Sequence, residues 1–274
     1  MEEKNNLTAS VVAAINEVFA KLFTSVDNNV YNILDKITFV DNSIIENENF
    51  LKIFGDNGII MICNALVLGV LLYYATRYLF SHLINSKVQT PLQFIFRLII
   101  FVIIMNNSYW ICSQIINIIS LISKNVLNIG ATIFDEEISF SSFIRKINIG
   151  FKDEISITSF DGIIKSFSTI GFINLIFSYS LRYIMIQVLA LFFPFAILCL
   201  VNEKTEWIFK SIVKSFALLL LEQVLISAIL VLAFSINISG NDLMSKMLYV
   251  GIVYALMKAN TYMYMMFGGL TTAI

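Results

Sequence analysis

Apolar residues in this chain come in long runs separated by short polar stretches. Five runs are long enough to cross about 30 Å of hydrocarbon, which takes about 20 helical residues. They lie at 58–80, 94–122, within 170–201, at 216–236 and at 247–267. Pro91 stands just ahead of the second run, at a position that favours a helix start. The pattern predicts an all-α fold: a polytopic helical membrane protein of about five transmembrane helices.

The third run is too long for one upright span. At about 1.5 Å per residue, 170–201 would make a helix of about 48 Å. Arg182 divides it, and a charge inside the bilayer is expensive. The expected span is therefore 183–201, with Tyr179, Arg182 and Tyr183 as interfacial anchors and 170–181 as a packed outer extension. The alternative is one long tilted helix with Arg182 deep inside. Pro194, within this span, removes a backbone hydrogen bond and bends the helix.

The first 57 residues are expected to form an outer amphipathic segment. Val11, Ile15, Val18, Phe19, Leu22, Val26, Val30, Ile33, Leu34 and Ile37 recur at steps of mostly three and four, which makes one apolar helical face. Such a helix lies on the membrane surface or packs on a partner. Residues 58–274 are expected to form the membrane domain. Within it, 123–168 reads as an ordered outer loop with helical or extended pieces.

Composition agrees with the pattern. Of the 274 residues, 58% are hydrophobic and 14% are charged, well below the quarter or so of an ordinary soluble domain. The net charge of −1 offers no global field for nucleic acid. Cys63, Cys112 and Cys199 sit in apolar runs without metal-ligand spacing, so neither a disulfide nor a zinc site is expected. The sole histidine, His82, falls in an expected loop with no acid or nucleophile beside it. No Walker sequence, metal cluster or catalytic set stands out, and no cofactor is expected. The opening residues, MEEKNNLTAS, do not read as a signal peptide. Heavy use of Ile, Asn, Lys and Phe is what AT-rich codons favour, which suggests a low-GC bacterium.

Basic residues set the expected orientation. Arg77, Lys87 and Arg97 flank the first connection, and Lys204, Lys210 and Lys214 crowd the third. The positive-inside rule places both in the cytoplasm, with the N-terminus outside and the C-terminus inside.

Polar groups within the apolar runs are the candidate functional residues. Asn107, Trp110, Gln114 and Asn117 share one helical face. Amides there act as packing glue or line a wet conduit, worth about 0.6–2 kcal/mol each as interhelical hydrogen bonds. Gly251, Ala255 and Ala259 recur every fourth residue, a spacing that lets another helix approach closely. Lys258 lies beside that face. Glu222 and Gln223 open an otherwise apolar stretch, ALLLLEQVLISAILVLAF. A carboxylate in such a place needs a partner, a proton or a function. Glu222 pairs with Lys258, within or across subunits, or is protonated and bonded to Gln223 or another amide.

One region carries a family resemblance. LFFPFAILCLVNEKTEWIFKSIVKSFALLLLEQVLISAILVLAF is a span bent at Pro194, a tight charged turn with Trp207, and a returning span with Glu222 and Gln223. Upstream, TPLQFIFRLIIFVII is a Pro-led basic entry to a span. Residues 77–236 resemble the TrbL/VirB-six family of polytopic inner-membrane subunits of type IV secretion and conjugation machines. The resemblance implies five spans, an outside N-terminus and a non-enzymatic channel or scaffold role in several copies. It implies as partners a transport ATPase, other membrane subunits and a relaxase-bound single strand of DNA. Two rival readings remain: a self-contained transporter or pore using Glu222 and Lys258 as a proton or ion relay, and a structural protein of sporulation or the cell envelope. Five unequal runs without an internal repeat speak against the transporter.

Overall fold

A computed structural model describes residues 33–55, 58–84, 90–149, 159–202, 204–236 and 243–268, with residues 13, 14, 17, 18 and 21 before them. Among these residues the chain is helical and contains no strand. After helical residues 33–38 and a short turn at Asn42–Ile44 come nine α-helices. They are α1 (Glu48–Phe54), α2 (Ile59–Ile84), α3 (Pro91–Asn106), α4 (Ser108–Phe134), α5 (Phe140–Ile149), α6 (Phe160–Cys199), α7 (Glu206–Ser235), α8 (Leu243–Met257) and α9 (Ala259–Gly268).

Four helices are long and apolar enough to cross a membrane: α2, most of which lies in the apolar run that ends at Ser81, together with α4, α6 and α7. The helices α3 and α8 are apolar but shorter. This suits a multi-pass membrane protein. Two of the expected runs are thus interrupted. Between α3 and α4 the break is Asn107, whose side-chain amide donates to the Ile103 carbonyl at 2.8 Å. The Asn106 amide does the same to Val102 at 2.9 Å, so side chains compete with the backbone at this point. Between α8 and α9 the Lys258 N–H is shared by the Tyr254 and Ala255 carbonyls, a tightened turn. Backbone hydrogen bonds continue across both points, from Ile111 to Asn107 and from Tyr262 to Lys258.

The 40 residues of α6 form one unbroken helix, with Pro194 inside it and Arg182 buried within the protein. His82 lies in the last turn of α2, not in a loop.

The chain folds as two compact units. The first takes the described residues within Met1–Phe39, Ser120–Tyr183 and Leu221–Ile274. Its core gathers Leu34, Phe140, Phe143, Phe172, Tyr179, Leu230, Tyr249 and Val253. The helix α5 contributes a full apolar face at the spacing of Phe140, Phe143, Ile144 and Ile147, all buried. Its first turn is capped from a distance: Asp35 accepts the Phe140 N–H at 2.8 Å and the Ser141 N–H at 3.4 Å. Burial pushes the Asp35 carboxyl above its ordinary value, and these two amides draw it part of the way back. Leu34 and Asp35 thus tie the described end of the N-terminal segment to this core. Asp135, which ends α4, takes the left-handed conformation with φ 51° that commonly closes a helix.

The second unit takes Val40–Ile119 and Ile184–Leu220. Aromatic pairs hold it, with Tyr74 stacked on Phe94 at 3.7 Å and Phe54 edge-on to Tyr109 at 5.6 Å. The Gln187 amide donates to the Ile44 carbonyl at 2.9 Å. The helix α2 leaves most of its surface uncovered, including Leu66, Leu68, Leu72, Leu79 and Phe80. In a bilayer that surface meets lipid or another helix.

Candidate functional site

The polar groups of the first unit converge in its core. Arg182, on α6, is 2% exposed, and Glu222, on α7, is 1% exposed. Both are thus buried in the core of the same unit. One guanidinium nitrogen, Nη2, donates to the Thr38 carbonyl. The guanidinium carbon lies 5.7 Å from the centre of the Tyr179 ring, one turn back on the same helix. Tyr179 itself donates its hydroxyl to the Leu256 carbonyl at 3.1 Å.

Neither Arg182 nor Glu222 is fully satisfied. Arg182 Nε and Nη1 and Glu222 Oε2 are buried and have no hydrogen-bond partner. Such groups are costly in a low dielectric, and an opposite charge buried in the same core offsets part of that cost.

Beside this pair, α4 and α7 are joined by hydroxyls. Ser227 donates to its own-helix carbonyl at Gln223 at 2.8 Å. The Ser123 hydroxyl lies within hydrogen-bond reach of both that carbonyl, at 3.2 Å, and the Ser227 oxygen, and its single proton serves one of them. Interhelical links of this kind fix helix pairs in hydrocarbon. Ser123 and Ser227 were not singled out by the sequence, where isolated serines in apolar runs carry no distinguishing signal.

Of the candidate polar residues, Arg182, Glu222 and Gln223 are all buried in this unit. Lys258 is exposed, its ammonium 5.9 Å from the Tyr254 ring centre. An ion pair, Lys246 to Asp161 at 2.7 Å, joins the start of α8 to the first turn of α6. Sequence offered no sign of it, because the two residues are far apart in the chain.

The small-residue face divides. Gly251 is exposed with open space around it, Ala255 is half-buried and Ala259 is buried. The close approaches occur elsewhere. A Cβ on Gly130 would come within 2.7 Å of Val231 Cγ2, and one on Gly171 within 2.5 Å of Val253 Cγ1.

The polar residues on the second run all face outward. Asn107, Trp110, Gln114 and Asn117 are exposed. Farther along α4, at continuing steps of three and four, Lys124, Asn128 and Thr132 are exposed too. Another exposed amide, Asn64 on α2, is paired with Asn106 through reciprocal bonds of 3.2 and 3.4 Å.

The hairpin around Pro194 and Trp207 lies in the second unit. Pro194 is buried, while Trp207 is 67% exposed in the first turn of α7. The turn before it is held by Thr205, whose hydroxyl donates to the Cys199 carbonyl at 2.7 Å and the Asn202 carbonyl at 3.0 Å. Arg97 donates to the Leu200 carbonyl at 2.9 Å and so satisfies the end of α6. A residue read as a topology signal is therefore also a helix cap.

No family of proteins has a sequence model that matches the chain, and no curated protein or solved structure matches it. Among the described residues no three His, Cys, Asp or Glu side chains are grouped to hold a metal.

Proposed function

We propose that the chain is a non-enzymatic channel or scaffold subunit of a conjugative type IV secretion complex in a bacterial plasma membrane. The observation that carries this reading is the exposed amide stripe of Asn107, Gln114 and Asn117, which runs from the α3–α4 break into α4. Amides facing hydrocarbon are unstable neighbours for lipid. They become favourable when a second subunit supplies hydrogen bonds or when the face borders water. A subunit that completes itself by assembling has that property, and the hairpin with Pro194 and Trp207 resembles such subunits. The partners are further copies of this chain, other membrane subunits of the complex and its transport ATPase. The cargo is relaxase-bound single-stranded DNA or protein.

In this reading the membrane is crossed five times. The helices α3 and α4 act as one rod through Asn107, and α8 and α9 as another through Lys258. The N-terminus and the region 123–168 lie outside, and the C-terminus lies in the cytoplasm. Single cysteines in a Cys-free background, probed with an impermeant thiol reagent on intact cells, test the orientation. Labelling is expected at Glu137→Cys and not at Lys204→Cys, and the reverse pattern would rule this topology out.

The functional test is genetic. An in-frame deletion is expected to abolish transfer by the mobile element that carries the gene and to leave growth normal. Unchanged transfer in the deletion strain, together with solute transport by the purified chain in liposomes, would favour a stand-alone transporter in its place. A defect in envelope or spore formation instead would favour the structural reading.

A further inference from the structure

The second unit contains an open groove of about 360 Å³. That volume is within the range of small-ligand sites, about 300–1,000 Å³. One wall is α2, with Leu66 and Val70. The other is the end of α6, with Phe195 and Leu198, and the turn that follows, with Asn202 and Thr205. Both walls progress in the same sense, because Tyr74 stacks on Phe94, and Arg97, one turn beyond Phe94 on α3, donates to the Leu200 carbonyl, which sets these two ends level. Along α2 the lining runs from Leu66 to Tyr73, and along α6 and its turn from Phe195 to Thr205. One end of the groove is thus wholly apolar, and the other is bordered by a phenol, an amide and a hydroxyl.

Positive charge stands beyond the polar end. Arg77 follows Tyr73 by four residues, one turn farther on the groove side of α2, and is exposed. Lys204 is exposed in the turn, between Asn202 and Thr205 in the chain apart from Glu203, which lies outside the described residues. Glu206 is taken up by Lys210 at 3.2 Å. The sequence of α2 contains no acid.

The floor of the groove is open because of Gly69. A Cβ built there meets nothing within 4 Å. Glycine costs helix stability relative to alanine, and here no close helix approach explains it. A side chain at this position would fill the groove and displace nothing in the fold.

From these features we infer that the groove is a binding site for an anionic phospholipid, with an acyl chain against Leu66, Val70, Phe195 and Leu198 and the phosphate at Arg77 and Lys204. Apolar walls alone would hold any lipid tail. The paired cations at one end select the headgroup, through the attraction of basic residues near a surface for anionic lipid. This inference does not depend on the secretion reading, since the site is complete within one chain.

The test uses the full chain purified in mild detergent. Native mass spectrometry is expected to show one phosphatidylglycerol retained per chain, in preference to phosphatidylethanolamine. Gly69→Leu is expected to lose the bound lipid while keeping helix content and monodispersity. Arg77→Gln and Lys204→Gln are each expected to lower the preference for phosphatidylglycerol about fivefold. A measurement independent of the filled variant places Tyr73→Trp in a Trp110→Phe, Trp207→Phe background. Brominated phosphatidylglycerol is expected to quench it more strongly than brominated phosphatidylcholine in nanodiscs. Equal quenching by the two lipids, or an unchanged lipid load in folded Gly69→Leu, would overturn the site. So would protection of Gly69→Cys from thiol reagents that requires a protein partner and not the lipid.

Discussion

Glu222→Leu is expected to destabilise the folded chain by about 3–5 kcal/mol, the scale on which removing one partner of a buried ion pair acts. The reason is what remains. Arg182 would keep a single bond to the Thr38 carbonyl and the Tyr179 ring, with two guanidinium nitrogens unpartnered and no opposing charge. Glu222→Gln is expected to fall close to Glu222→Leu, because an amide restores shape but not charge. The double change Arg182→Met with Glu222→Leu is expected to recover most of the loss, since an apolar pair of similar volume has nothing left to neutralise. Thermal unfolding in one detergent, followed by helix signal, gives the four values of a mutant cycle. If the double variant is as weak as the sum of the singles, the two charges do not act as a pair. If Glu222→Gln matches the parent, the carboxylate is held as a neutral acid and Arg182 is stabilised by other means.

Gly171→Leu is expected to destabilise the fold by about 1–3 kcal/mol or more, as for other overpacked cores. Its Cβ would stand 2.5 Å from Val253 Cγ1, and Val253 is buried on α8. Valine is stiff at χ1 and cannot swing clear, so the helices α6 and α8 must part. Gly251→Leu, by contrast, is expected to leave the monomer fold intact, because its Cβ meets open space. Expression level and the elution volume of each variant separate these outcomes. A Gly251→Leu chain that is folded but fails to assemble would place the contact face of a neighbouring subunit there. A Gly171→Leu chain with unchanged melting would show that α6 and α8 are not pressed together.

Hydrophobic runs located the helices well where an apolar stretch was bounded by strong signals. Pro91 does begin α3, and α2 differs from its expected run by a few residues at one end. The periodic apolar face read across 11–37 lies mostly outside the described residues, and its end, 33–38, is helical. The region 123–168 was harder to read because polar residues dilute its hydropathy. There α4 continues to Phe134 with Lys124 and Asn128 turned outward, and α5 hides four large apolar residues among Ser, Arg and Lys. The burial of Arg182 is hidden for a different reason. Reading one helix at a time charges the full cost of a guanidinium to its own segment. The Thr38 carbonyl and the Tyr179 ring lie against it, and Glu222 is buried in the same core, none of which is visible in local pattern. Glu222 reads from sequence as needing a partner, a proton or a function, and its burial fits that need without deciding among them. Close packing was sought at a regular small-residue spacing, whereas single glycines at 130 and 171 provide it. A lone glycine in an apolar run leaves no periodic trace.

The placement of opposite charges on successive long helices has a consequence for how the chain is made. Arg182 leaves the ribosome before Glu222 does, by a few seconds at about 5–20 residues per second. During that interval α6 has its cation but not the carboxylate that steadies it. The core that buries Arg182 is therefore incomplete until α7 is made. A chain cut short before Glu222 would leave Arg182 with the Thr38 carbonyl and the Tyr179 ring as its only described neighbours of opposite polarity.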